Sequence, residues 1–180
     1  FQRGAASPAM VAWRTGPQGE ARIVRLAVYI VLAFAAALVD HAVLSAWWWT
    51  PDLSLALAAW AMVDGTEDGV VWRAMLAGLA RDLVDPAGAG FNLLAFTALG
   101  IAFLPVRRFL FRTRGAAWAV WAFTAYLLVR TADGLLTGFG GIVPRELLVC
   151  AVMTAAAAIA CGWLFGGLPA RFRPVGAGGA

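Results

Sequence analysis

Few side chains in this sequence could do chemistry, and their spacing limits what that chemistry can be. A single histidine, His41, follows Asp40. A Ser–His or Cys–His dyad would have only this imidazole as its base. The G-x-S-x-G, phosphate-loop, H-E-x-x-H and C-x-x-C patterns are all missing, so no catalytic, metal or cofactor fingerprint is legible. The expectation is a protein without enzymatic activity and without a cofactor. Asp40 and His41 read as a polar pair at the interface end of an apolar run. Cys150 and Cys161 lie on one face of an Ala-rich run. At about 1.5 Å of rise per residue they are too far apart for a disulfide, and they read as small packing residues.

The charges inside apolar runs say more. An ionised group in hydrocarbon costs on the order of 2.5–3.5 kcal/mol on insertion scales, so its position needs a reason. Arg81 and Asp82 lie together, with Asp85 one turn after Arg81. Arg130 and Asp133 are three apart, so they share a helix face and can pair. One reading of both groups is an ion, proton or ligand site. The favoured reading is structural: pairs near the interface, with Arg reaching outward along its own stem.

The elements that carry these residues follow from composition. The chain has 180 residues and is 62% hydrophobic, with a mean hydropathy of +0.79. A soluble domain is usually about 45–50% apolar, and a soluble core could not hide this excess. The apolar residues come in long runs rather than alternating strands, which excludes a β-barrel. The expected fold is all-α: a polytopic transmembrane bundle of about six helices, with residues 1–22 and 166–180 as cytoplasmic tails and 23–165 as the bundle. The spans are expected at Ile23–Leu44, Leu53–Val63, Val70–Val84, Phe91–Leu104, Ala116–Val129 (or on to Leu136), and from Arg145–Glu146 to about Phe165. The second is short. Trp47, Trp48 and Trp49 mark a headgroup level before it, and Pro51 falls near its first helical position. Pro105 closes the fourth.

All 14 basic residues are Arg. They flank apolar runs, which argues for the positive-inside rule and against nucleic-acid binding. Arg107, Arg108, Arg112 and Arg114 form the strongest basic loop, and both tails carry Arg. Gly78, Gly88, Gly90 and Gly100 gather around the third and fourth spans, where small residues let helix backbones approach closely. Ala155 to Ala160 offer another flat face.

Residues 51–100 resemble the rod shape-determining protein MreD family. The resemblance is carried by Pro51-Asp52-Leu53, by Gly78-Leu79-Ala80-Arg81-Asp82-Leu83-Val84, and by Gly90-Phe91-Asn92-Leu93-Leu94-Ala95. A basic loop follows, as the family also shows. The family more often has Ser-Gly where this chain has Asp85-Pro86. The resemblance implies a multi-pass bacterial inner-membrane component of the cell-elongation machinery. Its partners would be an MreC-like protein and, through it, the MreB cytoskeleton and peptidoglycan synthases. Pro51, Asp52, Gly78, Arg81, Asp82, Gly90 and Asn92 then become structural or partner positions, joined by Arg130 and Asp133 from the charge pattern. The family's fold is similar to the substrate-binding subunit of energy-coupling-factor vitamin transporters, which supplies the alternative role. With both tails on the Arg-rich side, a reporter fused at the C-terminus is expected to be active in the cytoplasm. Activity on the outer side would refute this topology.

Overall fold

The computed structural model describes residues 17–47, 49–64, 67–85, 90–110, 114–138 and 143–166. Six α-helices follow one another: α1 (Pro17–Ala42), α2 (Leu53–Asp64), α3 (Glu67–Val84), α4 (Phe91–Leu110), α5 (Arg114–Thr137) and α6 (Pro144–Gly166). A short 3-10 turn, Leu44–Ala46, follows α1. No strand occurs among the described residues. The fold is therefore the all-α bundle expected from composition.

Three helices are long and apolar enough to cross a membrane, at Ile23–Ala42, Ala116–Thr137 and Pro144–Phe165. The other three depart from a full span for separate reasons. α3 carries Arg73, Arg81 and Asp82 within its 18 residues. The apolar part of α4, Phe91–Arg107, is shorter. α2 has 12 residues, or about 18 Å of helix against a hydrocarbon core of about 30 Å.

The position of α2 follows from its composition. It is apolar nearly all round, and such a helix must be central. Leu55, Ala56, Ala58, Ala59 and Met62 are all buried. α2 touches α1, α3, α5 and α6, and more lightly α4. The core closes around it: Trp121 Nε1 donates to Met62 Sδ at 3.1 Å, and the Phe103 and Trp121 rings lie 4.8 Å apart. The outer surface is apolar too, with Val31, Leu94, Leu128, Leu148 and Trp163 exposed. That is the distribution expected when lipid is the solvent.

Glycine sets the closest helix contacts. A Cβ at Gly78 would stand 2.5 Å from the Asn92 carbonyl oxygen, and one at Gly100 would stand 3.0 Å from Ala74 Cβ. α3 and α4 therefore run antiparallel with their backbones nearly touching at two heights. Gly162 of α6 faces the Trp118 ring of α5 in the same way. Gly90 does not pack helices together but serves the break between α3 and α4, where glycine is expected to supply an unusual backbone dihedral. Its φ of +86° makes it the turn residue before α4. Gly88 lies outside the described residues, as do Trp48, Arg112 and residues 1–16 and 167–180.

Several boundaries differ from the hydropathy reading. The first span starts at Ile23 as expected, but its helix α1 extends back to Pro17, a residue well suited to a first helical position. α4 runs through Pro105 to Leu110 instead of stopping there. One proline removes one donor and bends a helix without having to end it. Pro51 stands outside α2, which starts at Leu53 with Asp52 before it. Of the Ala155–Ala160 face, Ala158 is buried, while Ala156 and Ala160 are exposed.

Gly78→Ala is expected to cost about 1–3 kcal/mol, the usual range for overpacking, because the clash is with α4 backbone that cannot rotate away. Thermal unfolding of the detergent-purified protein checks it. Ala98→Gly, on the exposed face of α4, serves as the control.

Candidate functional site

The first turn of a helix leaves N–H groups without partners inside the helix. At α2 these groups sit inside the bundle, and two carboxylates take them. Asp52 is the N-cap, with Oδ1 accepting from the Leu55 amide at 2.9 Å. Asp40 reaches over from the last turn of α1. Its Oδ1 accepts from the Leu53 amide at 2.9 Å. Its Oδ2 accepts from the Ser54 amide at 2.8 Å and from the Ser54 hydroxyl at 2.7 Å. Two negative groups thus meet the positive end of the helix dipole.

The Asp52 backbone is anchored as well. Its amide donates to Thr154 Oγ1 at 2.9 Å, and the Thr154 hydroxyl donates to the Cys150 carbonyl at 2.8 Å. Thr154 lies ten residues into α6, counted from Pro144, or about 15 Å along its axis. α2 therefore starts well below the end of α6.

Asp52 Oδ2 is paired with Arg81 Nη1 of α3. The side chains are 5% and 19% exposed, so water screens this pair little. The adjacent carboxylate turns to another helix. Asp82 Oδ1 accepts from the Asn92 amide at 3.2 Å and from Asn92 Nδ2 at 2.9 Å. Asp82 Oδ2 accepts from the Leu93 amide at 2.8 Å. Asp82 is thus the cap of α4.

The expected Arg81–Asp82 grouping is therefore split: Arg81 serves α2 and Asp82 serves α4. The reason is geometric, since neighbours on a helix point about 100° apart. The Arg130–Asp133 pair forms as its spacing required, at 3.8 Å. Its side chains are 42% and 41% exposed, which makes it a loose pair. The Arg130 guanidinium also lies 5.6 Å from the centroid of the Tyr126 ring. Asp40 and His41 were expected to form a polar pair with each other. Both Asp40 oxygens also accept from the start of α2, and His41 lies at the exposed end of α1.

Above this junction lies a cavity of about 450 Å³. Asp40, Asp52, Arg81, Arg130, Asp133 and Glu146 all line it. It is walled by the end of α1, the segment leading into α2, the end of α3, and the facing parts of α5 and α6. Pro51 lines it, whereas Gly78 and Asn92 belong to the α3–α4 contact away from it and Gly90 to the turn before α4. The expected site residues thus fall into two connected places. Ser54 and Thr154 were not singled out by sequence, while Asp40 was read only as half of an interface pair and Glu146 only as a helix start. Thr154 left one signal, as a lone hydroxyl in a run of alanines. Comparison of the chain with protein-family models, curated proteins and solved structures gives no match.

Asp52→Ala and Arg81→Ala are each expected to destabilise strongly, by about 3–5 kcal/mol, because each leaves a buried charge alone. The double variant is expected to cost clearly less than the sum of the two. A double-mutant cycle by thermal unfolding checks this, and simple additivity would show that the pair is not coupled.

Proposed function

We propose that this chain is a non-enzymatic membrane scaffold of the bacterial cell-elongation machinery, of the MreD type. In this reading it sits in the inner membrane and holds an MreC-like partner. Through that partner it reaches MreB and the peptidoglycan synthases. The supporting observation is where the motif residues lie. Asp52 caps α2 and pairs with Arg81. Asp82 caps α4 beside Asn92. Gly78 admits the α4 backbone. Side chains engaged in joining helices suit a protein whose task is to keep a shape. The exposed apolar faces of α1 and α6 are surfaces that a partner's membrane helix or lipid could cover.

A second reading, a substrate-binding membrane subunit of the energy-coupling-factor type, draws on the cavity over α2. Its volume of about 450 Å³ falls in the range of small-molecule sites, roughly 300–1,000 Å³.

Affinity purification of the tagged chain from its host is expected to bring down an MreC-like protein, and its depletion is expected to turn rods into spheres. Unchanged shape and wall insertion on depletion would sink the scaffold reading. A vitamin retained in native mass spectra of the purified chain would favour the second.

A further inference from the structure

The charge of the cavity selects what it can take. Five carboxylates line it (Asp40, Asp52, Asp85, Asp133 and Glu146) against the two guanidiniums of Arg81 and Arg130. With His41 neutral, that leaves three negative charges in excess, in a chain whose net charge is +4. We infer that this cavity binds a small organic cation, an ammonium or guanidinium group carried on a short apolar stem.

Three observations carry the choice of sign and size. The donors at the start of α2 that would hold an anion are already engaged, and Arg130 is shared between Asp133 and the Tyr126 ring. The amides of Leu53, Ser54 and Leu55 at the start of α2 go to Asp40 and Asp52, and Arg81 is paired with Asp52. An anion entering here would find the helix terminus closed and would meet carboxylates. Second, Glu146 lies in the first turn of α6, on the cavity wall. Among the described residues no hydrogen bond or ion pair engages its carboxylate. Third, the wall has aromatic faces in Trp47 and Tyr126. Tyr126 already faces one guanidinium, that of Arg130. Indole and phenol rings attract cations at such distances.

A bare metal ion fits less well. No three His, Cys, Asp or Glu side chains among the described residues come close enough to hold one. The negative charge is spread around the wall, so a cation with a body, reaching Glu146 while its stem lies on Leu44, Val143 or Leu147, matches it better. The cation can be a free amine or the Arg or Lys side chain of a partner segment. Both present the same chemistry. The inference goes beyond the scaffold reading and does not depend on it.

The test uses the full chain in nanodiscs, titrated with agmatine, with glutarate as an anion of similar length, and with the blocked tripeptide acetyl-Gly-Arg-Gly-amide. Binding is read by thermal shift and by tryptophan fluorescence. Agmatine or the peptide is expected to bind, more weakly as salt rises. Binding of the peptide alone would identify a partner's side chain as the occupant, and binding of agmatine alone would identify a free small cation. Glu146→Gln is expected to weaken binding about tenfold, the effect of one charge-assisted hydrogen bond. Arg130→Gln, which removes a competing positive charge, is expected to strengthen it. Glutarate binding as well as agmatine, no binding of either cation, or equal affinity in Glu146→Gln would each overturn the inference. None of these outcomes bears on whether an MreC-like protein co-purifies.

Discussion

The bundle depends on satisfying the N-terminus of one short helix in a place where bulk water does not solvate it. α2 is buried on nearly every side, so the free amides of its first turn need partners within the protein. Asp52 and Asp40 supply them. Two carboxylates close together then need a positive charge, and Arg81 brings it. That pairing sets the rotation of α3 against α2. With α3 so placed, Asp82 falls beside the start of α4 and caps it. Four helices are thus tied by one sequence of electrostatic requirements, each created by the one before.

Packing completes what those contacts begin. Lipid tails are as apolar as leucine, so apolar side chains gain little by leaving lipid for another helix. Close backbone approach takes over as the source of specificity. Gly78 and Gly100 bring α3 and α4 together at two heights, and Gly162 makes room for Trp118 between α5 and α6. These contacts fix translation along the helix axes, while the polar junction fixes rotation about them.

The same junction forms the floor of the cavity. Because α2 begins beside Thr154, well down the length of α6, the ends of α5 and α6 rise past it and leave space above. A scaffold and a ligand-sized cavity are compatible in one molecule. The polar groups that hold the helices together also set the charge of the space that their arrangement leaves open.

Sequence alone determined the solvent, the helical class and the local pairs. Continuous apolar runs identified hydrocarbon as the surroundings, and the three-residue spacing of Arg130 and Asp133 was enough to place them on one face. Gly78 and Gly100 were legible as points of close approach because only small residues allow it. The polar junction was not legible. Arg81 meets Asp52 across 29 positions, Asp40 meets Ser54 across 14, and Asp52 meets Thr154 across 102. Hydropathy records how much of a helix is apolar but not which face turns toward which neighbour. Sequence neighbours such as Arg81 and Asp82 therefore looked like one group until the tertiary structure sent them to different helices. Which charges meet is decided by helix rotation and depth, and these exist only once all the helices have packed.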